Sequence, residues 1–141
     1  MNKAELIRQI QTHLAGELSG LLPEIEAASA QGTQVKPSTA ERVNEIQQQL
    51  TQYRFLPTRE FSNDDVICAG CLVELELQGR KAFYYLVPSG GGLVLSFDGN
   101  PVQIITPQSP LGEALLGKRL GDEVKVALRN QIREYKVTAL I

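Results

Sequence analysis

Residues 107–126 read PQSPLGEALLGKRLGDEVKV, and this run contains a helix start, a helix stop, a turn and a strand. Ser109 suits an N-cap, because its hydroxyl can accept a hydrogen bond from a free N–H of the first turn. Pro110 follows at the first helical position, where a missing N–H costs nothing. Leu111, Leu115 and Leu116 form an apolar stripe, so a short helix over Pro110–Leu116 is expected to lie on a core. Gly117 suits a left-handed C-terminal cap, with Lys118 and Arg119 beside the negative end of the helix dipole. Leu120-Gly121-Asp122 turns the chain. Val124, Val126 and Leu128 then alternate with Glu123, Lys125 and Ala127 as a half-buried strand. A packed helix delivered onto a sheet is the reading that decides the fold.

Outward from this run the texture is that of strands. Leu72–Leu77, Lys81–Val87, Leu93–Phe97 and Val102–Thr106 precede it, and Ile132–Leu140 follows Glu123–Leu128. Gln78-Gly79-Arg80 and Ser89–Gly92 read as hairpin turns, and Asp98-Gly99-Asn100 as a further turn. Before Phe55 the texture is helical. Leu6, Ile10, Leu14, Leu18, Leu21, Ile25 and Ala28 recur in steps of three and four, close to a coiled-coil seam. Pro23 predicts a kink or restart in that first helix. Residues 30–37 form a connector. Ser38 or Thr39 is expected to cap a second helix with Val43, Ile46, Leu50 and Tyr53 on one face. The sequence therefore predicts an α+β protein. An antiparallel helical hairpin occupies residues 1–57, and a mostly antiparallel sheet domain with one short helix occupies residues 58–141.

Composition narrows the function classes. The 141 residues carry a net charge of −2. Five basic and six acidic residues lie up to Arg54, with nine and ten after it, so neither part is basic and little direct nucleic-acid binding is expected. No run approaches a membrane span, and Met-Asn-Lys-Ala-Glu does not begin a signal peptide, so a cytoplasmic location is expected. Cys68 and Cys71 form a lone CxxC with His13 far away in sequence. They read as ordinary reduced thiols, with neither metal nor cofactor implied. Ser89–Gly92 lacks the Lys-Ser/Thr and the helix of a phosphate loop. Glu74 and Glu76 share a strand face and read as a solvated pair. Of Tyr84 and Tyr85, one is expected in the core and one outside. Residue chemistry alone supplies no catalytic constellation, so a non-enzymatic protein is expected.

The run at 107–126, with Arg133-Glu134-Tyr135-Lys136-Val137 near the end, resembles the Gre transcript-cleavage and elongation factors of bacterial RNA polymerase (the GreA/GreB family). Those factors carry a similar "SP, small-apolar helix, GK, GDEV" run and a strand similar to REYEV. The resemblance covers nearly all of residues 66–141 and is architectural over the first 55. It implies an FKBP-like second domain that docks on the polymerase at the rim of the secondary channel. The docking segment corresponds to Gln108, Ser109 and Pro110, with Lys118 and Arg119 adding charge at the rim. Family members often carry Asp or Asn where this chain has Gln108. The larger departure is at the hairpin tip, where the family presents carboxylates that help hold a second Mg²⁺. Between Glu26 and Glu41 there is no Asp or Glu, and the second helix is shorter than the first. The resemblance thus implies a polymerase-binding elongation factor that docks without stimulating cleavage. Its rivals are a cleavage-competent factor using Glu24, Glu26 or Glu41, and a protein similar to the regulator of nucleoside diphosphate kinase, which has a shortened hairpin. A third rival, prolyl isomerase activity, rests on fold analogy alone.

Overall fold

Two long helices open the chain because apolar residues recur every three to four positions without a break. The computed structural model describes residues 3–56, 61–62, 64–88, 93–97 and 99–141, the side chains of Phe97 and Leu128 excepted. The proposed turn at Ser89–Gly92, and Pro57-Thr58 after the second helix, lie outside the described residues, as does Asp98. Ala4–Phe55 form one compact unit, and Leu56–Ile141 form the greater part of another.

In the first unit, α1 spans Lys3–Ala30 and α2 spans Pro37–Arg54. The predicted restart at Pro23 does not occur; α1 runs through it. Pro23 and Ser19, whose carbonyl the proline leaves without its helical N–H, are both exposed, so water replaces the lost bond. The predicted cap of α2 is also displaced. Pro37 takes the first helical position, after Lys36, and no side chain caps the end. Its preset φ starts the helix one residue before Ser38 could act. Thr39 is thereby freed to donate its hydroxyl to Glu24 on α1, at 2.9 Å. The apolar stripe is buried at Leu6, Ile10, Leu14, Ile46 and Tyr53, and half-buried towards the tip.

Arg42 ties the two helices with a two-pronged contact, Nε and Nη2 each 2.6 Å from the Glu17 carboxylate. These hydrogen bonds hold the Glu17 carboxyl below its ordinary 4.5 and raise the arginine further. A depressed carboxyl stabilises the folded state above its unfolded value and loses that effect as pH falls through the folded one. Both side chains are about one-third exposed, so solvent screening keeps the contribution near 1 kcal/mol. Arg42→Ala should therefore lower stability by about 1 kcal/mol at pH 7. In urea titrations that difference should shrink as pH falls below 4.5 and Glu17 is protonated, the 3.0 Å contact of Arg42 with Glu45 being the part that does not depend on Glu17.

In the second unit a six-stranded sheet forms from β1 (Leu72–Leu77), β2 (Arg80–Leu86), β3 (Val94–Phe97), β4 (Asn100–Ile105), β5 (Glu123–Leu128) and β6 (Gln131–Leu140), ordered β3-β4-β2-β1-β6-β5. The pairs are antiparallel except β2 with β4, which is parallel, so the sheet is mixed. The exception arises because β3 pairs with β4 at the sheet edge and leaves β4 running alongside β2. The β1–β2 turn holds Gln78 and Gly79 at φ 51° and 80°, the primed geometry that matches strand twist.

A short helix, α3 (Pro110–Leu115), lies over the face carrying Val73, Leu75, Val124, Val126 and Val137, with Leu115 fully buried among them. Burying a leucine is worth about 2 kcal/mol. A bulge between Glu74 and Leu75 shifts the β1–β6 register. There the Thr138 hydroxyl lies 2.8 Å from the Glu74 carboxylate and 3.1 Å from its backbone carbonyl. Glu74 is thus half-buried and tied down, not the freely solvated residue its strand position implies. Tyr85 is fully buried, whereas Tyr84 is half-buried and meets Tyr135 edge to face, with ring centroids 6.4 Å apart.

Candidate functional site

The segment from Thr106 to Asp122 assembles the sequence-predicted site residues around α3. Ser109 caps the helix as expected: its Oγ accepts from the Gly112 N–H at 3.2 Å and its hydroxyl donates to the Thr106 carbonyl at 2.6 Å. The Ser109 N–H donates to the same carbonyl at 3.1 Å, which fixes the turn entering the helix. Gln108 and Pro110 are exposed at the outer side of that turn and Ser109 is half-exposed. The result is a small, rigid protrusion with one amide side chain and one proline ring facing solvent.

Gly112 is a feature that sequence reasoning missed. A Cβ there would stand 1.9 Å from the Thr106 carbonyl oxygen and 2.9 Å from Ser109 Oγ. The first turn of α3 therefore rests directly on the backbone it springs from. Leu-Gly-Glu reads as ordinary helix, and the absent side chain is the sole sequence signal.

Lys118 and Arg119 lie past the other end of α3. Gly117 adopts φ 78° and leads the chain out of the helix, as its cap role requires. The Gly117 N–H donates to the Ile67 carbonyl at 3.0 Å, and the Ile67 N–H to the Lys118 carbonyl at 2.8 Å. Loop 64–67 thus braces the basic pair from behind. Arg119 donates a guanidinium N–H to the Asp64 carbonyl at 3.3 Å, and its backbone N–H to Asp122 at 2.8 Å. Both basic side chains are exposed, and among the described residues neither makes an ion pair. Six helical residues at about 1.5 Å each separate the Ser109-Pro110 protrusion from this pair, so the two sit roughly 10 Å apart at opposite ends of one helix. One partner surface can meet both.

The hairpin connector is the other candidate element. The Gln31 and Thr33 N–H groups donate to the Ala27 and Ala28 carbonyls at 3.1 and 2.9 Å, and the Thr33 hydroxyl to Ala28 at 3.3 Å. This closes the end of α1 and leaves Gln31, Thr33, Gln34 and Lys36 exposed at the tip. Glu26 and Glu41 are exposed but lie within the helices, one turn back from the connector, while Glu24 is engaged by Thr39. The tip is neutral to basic.

Cys71 is fully buried and Cys68 half-buried, both as free thiols. Burial pushes the Cys71 thiol up to about 11, which makes it a poor nucleophile and a poor metal ligand at neutral pH. Among the described residues no cluster of His, Cys, Asp and Glu could hold a metal ion. Also among them, no helix is long and apolar enough to cross a membrane.

Comparison with known proteins bears on the family of the chain. Residues 62–141 match the model of the C-terminal part of transcription elongation factors GreA/GreB. Transcription elongation factor GreA of Clostridium acetobutylicum is 26% identical over 100 residues, covering 70% of this chain and 60% of that protein. The factor of the same name from Helicobacter hepaticus is 30% identical over 97 residues, covering 68% of this chain and 56% of its own. The matched stretch thus spans less than two thirds of either relative. Among solved structures, GreA factor homolog 1 of Thermus thermophilus aligns over 97% of this chain and 93% of its own, at 21% identity and a TM-score of 0.45.

Proposed function

Because this chain belongs to the GreA/GreB family of transcription elongation factors, we propose that it binds RNA polymerase at the rim of the secondary channel and modulates elongation without stimulating transcript cleavage. Docking falls to the second unit. Gln108, Ser109 and Pro110 form the contact, and Lys118 and Arg119 add charge at its border. The helical hairpin occupies the channel and alters nucleotide entry or pausing, in competition with relatives that carry an acidic tip.

The observation that carries the non-cleaving reading is the chemistry of residues 31–36. Activating water beside the polymerase's own metal requires a second divalent ion, and such ions take anionic oxygen ligands at about 2.1 Å. The exposed tip offers amides, a hydroxyl and the Lys36 ammonium, which repels a cation. The rigid Ser109-Pro110 turn supports the docking half: a protrusion already held in place loses little entropy on binding.

The docking half is tested by Ser109→Ala combined with Pro110→Ala, measured as affinity of the full chain for core RNA polymerase. Loss of the cap costs about 1 kcal/mol, so the variant stays folded. Affinity is expected to fall about tenfold while the unfolding midpoint shifts only slightly. Unchanged affinity in a folded double variant would reduce both residues to helix-capping roles.

A further inference from the structure

We propose that the end of the sheet away from the α3 entry turn is a second protein-binding surface, which takes an extended acidic segment of a partner polypeptide as an added strand. Three independent features converge there.

The first is an open strand edge. β6 pairs with β5 from Gln131 onward, but with β1 only from Lys136. Residues Gln131–Glu134 therefore have a paired side and a vacant side, and all four are exposed. Backbone groups on the vacant side are a ready template for an incoming strand. The space is there: an open groove of about 830 Å³ lies between these residues and the β1–β2 turn at Leu77 and Gln78. Ile132 is 73% exposed on this strand, a large apolar side chain left in water.

The second is a slot of mixed lining that continues the groove past Leu77. It measures about 460 Å³; Leu75, Leu77, Ala82, Tyr84 and Tyr135 form its apolar part, and Gln78 and Arg80 its polar part. This is the part of the core face that α3 leaves uncovered. It suits a partner side chain of valine or leucine size, entering at alternate positions as a strand demands.

The third is charge. Arg80 and Arg133 line the two grooves, and Arg129 stands beside Arg133 at the β5–β6 turn. Among the described residues none of the three makes an ion pair. Glu134, the carboxylate on this lining, lies 3.5 Å from the Lys125 ammonium. Unpaired guanidinium groups flanking the apolar part of the slot match carboxylates flanking an apolar anchor. Single-stranded nucleic acid fits less well, because Tyr135 is buried and has no open face for base stacking.

This surface is distinct from the docking segment. β2 runs from Arg80 at the groove to Leu86, and its parallel neighbour β4 leads from Ile105 towards Gln108. Seven residues at about 3.3 Å each put the two sites roughly 20 Å apart, at opposite ends of the sheet.

The test uses the full chain and a fluorescein-labelled heptapeptide of alternating Glu and Val, read by anisotropy and by backbone amide shifts. Saturable binding is expected, with shifts confined to residues 131–134 and their groove neighbours. Arg80→Ala and Arg133→Ala should each weaken it at least fivefold; both residues are exposed at the rim, so the fold should survive. Methylating alternate peptide nitrogens should weaken binding at least tenfold, since it removes main-chain donors without touching the protein. Equal binding of a Lys/Val peptide, or of the methylated peptide, would overturn the proposal. So would absence of binding, or the same shifts produced by an oligouridylate. Shifts that track protein concentration without peptide would make a second copy the occupant and equally overturn it.

Discussion

Gly112→Ala should collapse the second unit far more severely than its ordinary helical position implies. The added methyl would meet the Thr106 carbonyl oxygen at 1.9 Å, a distance no side-chain adjustment can relieve because the obstacle is backbone. That carbonyl is itself held by the Ser109 N–H and hydroxyl, so moving it breaks the cap as well. Overpacking costs about 1–3 kcal/mol and a lost cap about 1 more, together roughly 3 kcal/mol. For a unit of this size that is a fall of roughly 15–20 °C in melting temperature. Gly117→Ala is the control: space around it is open, and only its φ of 78° is at stake. It should cost about 1 kcal/mol. Thermal unfolding of both variants by circular dichroism checks the ranking. Equal effects would mean that the α3 entry turn yields easily and is not the rigid protrusion described above. Polymerase affinity should fall with Gly112→Ala too, because the turn proposed above to dock is what the methyl displaces.

Adding this protein to a backtracked elongation complex at saturating Mg²⁺ should leave RNA release within about twofold of the polymerase's intrinsic rate. A second metal ion is worth several kcal/mol of transition-state stabilisation, which corresponds to roughly a thousandfold in rate. A factor that supplied it could not be missed. Glu26 and Glu41 stand one helical turn, about 5 Å, behind the connector, whereas oxygen–metal distances tolerate only about 0.2 Å. Release far above the intrinsic rate, and abolished by Glu26→Ala or Glu41→Ala, would sink the non-cleaving reading. The converse experiment is Gln31→Asp with Gln34→Glu. Cleavage gained by that variant would show that carboxylates alone were missing; none gained would show that the hairpin stops short of the active centre.

What was legible in the sequence was what short-range chemistry decides. Ser109, Pro110 and Gly117 mark the ends of α3 because capping involves neighbours three residues apart. The alternation of Val124 and Val126 marks β5 for the same reason. The misreadings are local competitions that a second residue won. Pro37 pre-empted Ser38 and Thr39 at the start of α2, and an exposed Ser19 carbonyl let α1 pass through Pro23. Long-range features were silent. Alternation cannot show that β4 runs parallel to β2, nor that β1 stops short of β6 and leaves Gln131–Glu134 with a vacant side. The crowding at Gly112 depends on where a carbonyl six residues upstream is pinned. No pattern of charges or nucleophiles marks Gln108, Ser109 and Pro110 as a contact, so their proposed role rests on family resemblance, and the arginine-flanked groove was not legible at all.

The placement of β1 beside β6 governs when this molecule can come into being during synthesis. Val73 pairs with Leu140, so the earliest and latest strands of the sheet are neighbours at its centre. A nascent chain that has emerged as far as Leu128 holds β1 and β5 with nothing between them, and each exposes an edge that β6 alone can fill. Ala4–Phe55 cluster through their own contacts, so the helical hairpin can begin to form while translation continues. At about 5–20 residues per second the ribosome spends several seconds between finishing the hairpin and delivering β6. Through that interval the chain has a folded arm and an unclosed sheet. The second unit therefore closes all at once, with Gln131–Leu140, and a message truncated before them leaves β1 and β5 without the strand that joins them.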